Sequence, residues 1–72
     1  MLQEWYNPQN ERRYLAELFE DLFGDWILIR RWWGVKRRGN KKMALVASYA
    51  DGLKHLANID SKRQARGYQR VR

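Results

Sequence analysis

The chain has 72 residues, no cysteine and a formal net charge of +7 at neutral pH. Its length predicts a single domain, residues 1–72, with a small core, and the lack of cysteine excludes disulfide bonds and cysteine-based zinc sites. The longest uncharged run, residues 43–50, is far shorter than the roughly 20 residues of a membrane-spanning helix, so we expect no membrane partner. The lack of cysteine fits a reducing compartment, so we expect a cytoplasmic protein.

Positive charge is concentrated in two segments of the chain. Residues 30–42 contain seven Lys or Arg, residues 62–72 contain five, and neither segment contains an acid. Clustered cations without neutralising acids are the electrostatic pattern of a protein that binds a polyanion. Nucleic acid is the first such ligand and an anionic membrane surface the second, while the alternative is a basic surface that only solvates the domain.

The N-terminal apolar segment precedes a turn signal, Asn7-Pro8. It predicts a short edge strand that docks Trp5 on the core and ends at Pro8, because proline cannot donate a ladder hydrogen bond.

Residues 14–19 allow two interpretations. Apolar residues at helical spacing would form a helix that reaches Phe23, whereas alternation would form a strand with Tyr14, Ala16 and Leu18 on one face. Local propensity alone favours the helix.

A central strand is predicted over residues 26–33, after a turn in which Gly24 supplies a positive φ. Apolar residues occupy both of its faces, which predicts a middle strand covered at least partly on both sides. One face carries Trp26, Leu28, Arg30 and Trp32, and the other carries Ile27, Ile29, Arg31 and Trp33.

The segment after this strand, residues 34–42, is predicted to be a basic loop with its tight turn at Gly39-Asn40. A strand over residues 43–49 follows. A helix then begins at Ser48, with Asp51 completing a capping box, and ends at Gly67 as the C′ residue. Its buried stripe is predicted to contain Leu53, Leu56 and Ala57, with Ile59 at the margin, and residues 69–72 are expected to be a basic tail.

Residues that could support catalysis are sparse. His55 is the only histidine, and Ser48 and Ser61 are the only aliphatic hydroxyls. No nucleophile–base pair or metal-ligand set is suggested by their spacing. The sequence therefore predicts no enzyme activity, no catalytic residue, no metal and no cofactor.

The adjacent residues Trp32 and Trp33 point to opposite faces if the strand persists. One indole would be core, and the other would be exposed beside cations, where it would stack on a base while Lys and Arg bind phosphates. The alternative is that both indoles are buried. The predicted nucleic-acid-binding residues are Trp32, Trp33, Arg30, Arg31, Lys36, Arg37, Arg38, Lys41 and Lys42.

Several motifs, in order, resemble the WGR domain, a small β-rich module with one helix that is found in poly(ADP-ribose) polymerases and in short bacterial proteins. The motifs are Asn7-Pro-Gln-Asn10, Asp21-Leu-Phe-Gly-Asp-Trp26, Ile27-Leu-Ile-Arg30 followed by Arg31-Trp32, and Lys62-Arg-Gln-Ala-Arg-Gly-Tyr68. With the predicted strand over residues 43–49 and the capped helix, which also match, the resemblance covers nearly the whole chain. The resemblance implies a strand, not a helix, over residues 14–19.

The signature itself departs from the family pattern. When the chain is aligned to the family without a gap, Trp32 occupies the signature Trp position, Trp33 the Gly position and Gly34 the Arg position. When one inserted residue is allowed, Trp33-Gly34 matches the signature Trp-Gly and Val35 replaces the Arg. In the polymerases the Trp contacts DNA at a break and the Arg couples that contact to the catalytic region. The resemblance therefore implies the DNA-contacting role for Trp32 or Trp33, and no coupling role.

Together these observations predict an α+β domain, an antiparallel sheet of about four strands with one helix packed on it. The predicted function is a non-enzymatic module that binds nucleic acid, DNA rather than RNA, as a monomer. Two alternatives remain open: a protein-interaction module that uses the Trp-rich strand or a sheet edge, and a homodimerising domain that buries the spare Trp.

Overall fold

Four hairpin-connected strands form the body of a computed structural model, which describes the backbone of all 72 residues and the side chains of all but Arg37. The five strands form one antiparallel sheet in the order β4-β3-β2-β1-β5. The predicted α+β class, a sheet of four main strands with one helix packed on it, is confirmed. The elements are β1 Leu2–Asn7, β2 Arg12–Glu20, β3 Trp26–Gly34, β4 Arg37–Val46, α1 Tyr49–Ala65 and β5 Gln69–Arg70.

Residues 14–19 form the middle of β2, so the helix favoured by local propensity is wrong and the strand implied by the family resemblance is right. This segment pairs with β1 on one side and with β3 on the other. Tertiary pairing along both edges outweighs the few tenths of a kcal/mol, roughly, by which such residues favour a helix.

The turn between β2 and β3 follows the sequence prediction. Gly24 has φ +81, and the Asp21 side chain accepts hydrogen bonds from the backbone N–H groups of Phe23 and Asp25, both at 2.9 Å. An aspartate that closes a turn in this way fixes the register of the hairpin.

The predicted basic loop over residues 34–42 is wrong. Only Val35 and Lys36 form the turn, and β4 begins at Arg37, with a register shift between Trp32 and Gly34. No turn occurs at Gly39-Asn40 because these residues are already in β4. A strand rich in Lys and Arg is tolerated here because β4 is an edge strand, where charge discourages further pairing.

The helix begins and ends where the sequence predicts. The Ser48 side chain accepts a hydrogen bond of 3.1 Å from the Asp51 N–H, and because Ser48 is the N-cap, the strand predicted over residues 43–49 stops at Val46. At the other end Gly67 has φ +89, and the N–H of Tyr68 bonds to the Arg63 carbonyl at 2.9 Å. This is a Schellman-type end.

The buried side of the helix differs from the predicted stripe. Gly52, Leu56 and Ile59 are buried, whereas Leu53 and Ala57 are exposed. The helix approaches the sheet so closely at Gly52 that a Cβ there would lie 2.5 Å from Leu18 Cδ1. The absence of a side chain, which a hydrophobic pattern does not register, therefore sets the rotation of the helix.

The C-terminal segment, predicted to be a basic tail, is not free. Gln69 and Arg70 form β5 and pair with Tyr6 and Trp5 of β1, so β1 is not the edge strand that the sequence predicts. Trp5 is nevertheless docked as expected, at 0% exposure.

One face of the sheet carries the helix, and no other element of the described chain covers the opposite face. The prediction that β3 is a middle strand is confirmed, but a second layer exists on one side only. The core on the covered face consists of Trp5, Tyr14, Ala16, Leu18, Leu28, Leu56 and Ile59. Among the described residues, no helix has the length and apolar character needed to cross a membrane.

Candidate nucleic-acid interface

Trp32 lies on the helix-covered face of the sheet, because it alternates in step with the core residue Leu28 along β3. It is opposite Tyr14 in the register, and the two rings stack with centroids 5.8 Å apart and an angle of 10° between their planes. Trp32 is half-buried. One part of the indole is therefore fixed against the core, and another part remains open to solvent.

The helix contributes a cation to the same place. The Arg63 guanidinium carbon lies 4.5 Å from the centre of the Tyr14 ring and 5.2 Å from that of Tyr68. Its Nε is buried without a hydrogen-bond partner among the described residues. Cation–π contacts hold the side chain in place but do not satisfy its N–H donors, which favour an anion.

Four cations surround the exposed part of Trp32. The cleft between β3, β4 and the last turns of the helix is lined by Tyr14, Arg30, Trp32, Lys42, Arg63 and Arg66. An adjoining groove along the helix adds His55, Asn58 and Lys62, and no acid lines either depression. We call the first of these the cationic cleft.

Several of the acids that the structure describes are engaged away from the cationic cleft. Ion pairs are found between Arg13 and Glu4 at 3.8 Å and, when the imidazole is protonated, between His55 and Asp51 at 3.5 Å. Asp60 accepts a 2.8 Å hydrogen bond from the Trp5 indole N–H, on the part of the helix that faces β1. No described acid therefore neutralises the cationic cleft.

Asp60 is itself held in its ionised form. The hydrogen bond from Trp5, a second from Gln64 and the positive charge of Arg70 lower the pKa of this carboxyl, against a smaller opposing effect of burial. The stabilised carboxylate ties the first strand to the helix, and it belongs to the scaffold rather than to the cleft.

The structure divides the predicted binding residues between two surfaces. Trp32, Arg30 and Lys42 line the cationic cleft, whereas Trp33, Arg31 and Lys41 line a depression on the open face together with Leu2, Leu15 and Glu17. The division follows from strand alternation, which sends adjacent residues to opposite sides of the sheet.

The remaining predicted residues lie near the β3–β4 turn. Lys36 lines a shallow depression with Asn10, Glu11 and Arg12, and Arg38 is exposed on β4. The side chain of Arg37 is outside the described part of the chain.

Sequence reasoning missed Tyr14, Arg63 and Arg66 as members of the site. The spacing of Arg63 and Arg66 by three residues places both on one side of a helix, and the basic segment 62–72 was recognised as a charge cluster. What the sequence does not contain is the crossing of the helix over β3 and β4, which brings the two basic segments together.

The described residues contain no candidate metal-binding site. Within the described residues there is no group of three or more His, Asp or Glu side chains arranged to hold a metal ion.

Comparison of the chain with protein-family models, with curated proteins and with solved structures finds no match. The resemblance to the WGR domain therefore stays a prediction that depends on the motifs quoted above.

Proposed function

We propose that this protein is a non-enzymatic, cytoplasmic module that binds nucleic acid in the cationic cleft. The observation that carries the proposal is the half-buried indole of Trp32, surrounded by Arg30, Lys42, Arg63 and Arg66 with no acid in the lining. An aromatic surface among unneutralised cations offers a stacking platform for a base and partners for the adjoining phosphates.

The two kinds of contact contribute differently. Stacking of a base on Trp32 is worth about 1–3 kcal/mol and depends little on salt. Phosphate contacts release counterions, so each one adds roughly 0.7 to the magnitude of the salt-dependence slope for a single strand and roughly 0.9 for a duplex. Tyr14, which stacks against Trp32, fixes the indole before the ligand arrives and reduces the entropy lost on binding.

DNA is the preferred ligand in this proposal because of the resemblance to the WGR domain, whose Trp contacts DNA at a break. Of the two candidates for that role we assign Trp32, since it lies within the cationic cleft, and we remove Trp33 from the site. Lys36 and Arg38 lie beyond the cleft and would add only long-range attraction.

The test is a fluorescence-anisotropy titration with labelled nicked or blunt-ended DNA, with an intact circle as competitor, at several salt concentrations. Steep weakening by salt and poor competition by the circle are expected. Binding that is undetectable at low salt with every DNA would end the proposal.

A matched pair of variants locates the site. Lys42→Glu places a negative charge in the cationic cleft and is expected to weaken binding by about tenfold or more, since it removes one phosphate contact and adds repulsion. Lys41→Glu changes the same charge on the opposite face and is expected to change affinity by less than about threefold, through net charge alone. Equal losses would contradict the assignment to the cleft.

A further inference from the structure

The face of the sheet that the helix leaves open is largely apolar at one end. Phe19, Ile27 and Leu45 form one cross-strand row, and Leu2, Glu17, Ile29 and Met43 form the next row. Met43 is 62% exposed and Leu45 is 70% exposed. Ile27 and Ile29 between them and β2 are only 8% exposed, so the exposed apolar surface lies mainly on β4. Apolar side chains on both faces of a central strand are typical of a sheet that is covered on both sides, and grouped exposed apolar side chains mark an interaction surface.

Glu4 and Glu17 lie on one side of the open face, where Arg13 pairs with Glu4 at 3.8 Å, and Arg31 and Lys41 lie on the other side. A third row runs Glu4, Leu15, Arg31 and Lys41 from β1 to β4. The acid therefore lies near one edge of the sheet and the two bases lie toward the other edge. A surface of this kind is complementary to itself when one copy is turned over so that its edges exchange places.

We propose that the open face binds the open face of a second copy of this chain, related by a two-fold axis parallel to the strands. That rotation places β1 over β4 of the second copy and β2 over β3. Glu4 then faces the second copy's Lys41, and the long side chain of Glu17 lies one row from the second copy's Arg31. Every charged contact occurs twice by symmetry.

The same rotation brings apolar residues together. Leu2 faces the second copy's Met43, and Phe19 faces the second copy's Ile27. In a fourth row, Arg13 faces the second copy's Trp33. Its guanidinium already lies 4.7 Å from the centre of the Tyr6 ring and 3.8 Å from Glu4 in its own chain, so this row adds apolar contact with the indole and no new ion pair. This arrangement is the aligned sheet-on-sheet packing of β-sandwiches, in which the strands of the two layers cross at about 30°.

A two-fold axis perpendicular to the strands is a poorer match. It would exchange the second and third rows, so that Lys41 would face the second copy's Met43 and Arg31 would face Ile29. The parallel axis also sets two charges opposite apolar side chains, Glu17 opposite Ile29 and Arg31 opposite Leu15. It alone places Glu4 opposite Lys41, whereas the perpendicular axis gives no facing pair of opposite charges.

The size of the face predicts a dimer of moderate strength. Four strands about 4.8 Å apart and about six residues long present roughly 400 Å² of projected surface, which is less than the roughly 800 Å² per partner of a standard interface. Each copy also carries a net charge of +7. We therefore expect micromolar dissociation, strengthened when salt screens the repulsion between copies.

The dimer leaves both cationic clefts free, because the helices lie on its outer surfaces. The dimer does not depend on the proposed function. Salt is expected to strengthen dimerisation and to weaken nucleic-acid binding.

The test is sedimentation equilibrium of the full chain without nucleic acid, from about 1 μM to 1 mM, which brackets the expected micromolar dissociation constant. Met43→Glu is expected to raise the dissociation constant about tenfold or more, because the new carboxylate would be buried against Leu2 near Glu17. Leu53→Glu, on the outer surface of the helix, is the matched control and should leave dimerisation unchanged. Circular dichroism verifies that both variants fold.

A charge exchange tests the symmetry. Glu4→Lys and Lys41→Glu should each weaken the dimer several-fold, and the double variant should restore it, since each residue faces the other in the second copy. A wild-type chain that is monomeric at 1 mM, a dimer indifferent to Met43→Glu, or a double variant as weak as the singles would each overturn the proposal. A dimer formed through the β4 edge instead would be recognised by its indifference to Met43→Glu.

Discussion

The two faces of the sheet are made from the same four strands and differ in what lies over them. On the covered face, the packing of the helix on the sheet excludes solvent almost completely from Trp5, Leu18 and Leu56. On the open face, Met43 and Leu45 are equally apolar and remain exposed. Ile27 and Ile29 are also buried on the open face, at 8% exposure each, without the helix above them. The apolar residues of the sequence therefore report where side chains point, and the path of the helix and the packing within the sheet together decide which of them form the core.

The same division applies to charge. Arg30 and Arg31, Trp32 and Trp33, and Lys41 and Lys42 are adjacent pairs, and strand alternation assigns one member of each to each face. On the covered face these residues line a cleft with cations from the helix, whereas on the open face they line a depression that contains Glu17. The covered face is therefore suited to a polyanion, and the open face is suited to a surface that carries both signs of charge.

The largest expected contrast between the faces is in stability. Trp5→Ala would remove a fully buried indole, its edge contact with Tyr14 and its hydrogen bond to Asp60. Such truncations cost about 3–5 kcal/mol, which is as much as the whole stability of many domains of this size. We expect a largely unfolded chain by circular dichroism and by dispersion of amide resonances.

The matched variant on the open face is Leu45→Ala. Because this leucine is 70% exposed, its truncation should cost less than about 1 kcal/mol in urea denaturation at low protein concentration. A loss as large as that of Trp5→Ala would mean that the open face is covered in the monomer.

The next effect in size concerns the contact between the helix and the sheet. Gly52→Ala should destabilise the fold by about 1–3 kcal/mol through overpacking against Leu18, although alanine is the better helix former by about 1 kcal/mol. Thermal or urea denaturation measures the change.

Leu18→Ala provides the space that the added methyl needs. In that background Gly52→Ala should be neutral or stabilising, so the two substitutions should be strongly non-additive. Additive losses would show that the helix does not approach the sheet at this position.

The smallest effect depends on pH. The pKa of Asp60 in the folded chain is lowered from its ordinary value of 3.8, chiefly by the Trp5 hydrogen bond. Its ionised form therefore stabilises the fold above that value, and the stabilisation is lost as the pH falls through the lowered pKa.

Asp60→Asn retains an acceptor for Trp5 and removes the charge. We expect a loss of less than about 1 kcal/mol at pH 7, since the group is only partly buried and charge-assisted hydrogen bonds exceed neutral ones by about this amount. The difference in melting temperature between wild type and variant should disappear below the titration range. A difference that persists unchanged in acid would contradict the ionised hydrogen bond.

The sequence was sufficient to predict the elements with strong local signals. Gly24, Ser48 and Gly67 fix their turn and helix ends through short-range hydrogen bonds and backbone conformation, so their positions were predicted correctly. The basic first part of β4, residues 37–42, is predicted as loop because glycine, asparagine and clustered cations have low strand propensity, and pairing with β3 outweighs that preference.

The candidate site was only partly predictable. Trp32, Arg30 and Lys42 were among the predicted residues, because indoles and cations adjacent in sequence indicate nucleic-acid binding. The assignment of Arg63 and Arg66 to the same cleft depends on the angle at which the helix crosses the sheet. The close approach of Gly52 to Leu18 is part of that geometry, and no residue pattern contains it.

The most direct test of the account compares two neighbouring arginines. For Arg30→Gln and Arg31→Gln, the affinity for nicked DNA would be measured at several salt concentrations. Loss of one phosphate contact in the cationic cleft predicts that Arg30→Gln weakens binding several-fold and reduces the magnitude of the salt slope by roughly 0.7–0.9, while Arg31→Gln leaves the slope unchanged. An unchanged slope for Arg30→Gln, or an equal reduction for Arg31→Gln, would contradict the assignment of polyanion binding to the helix-covered face.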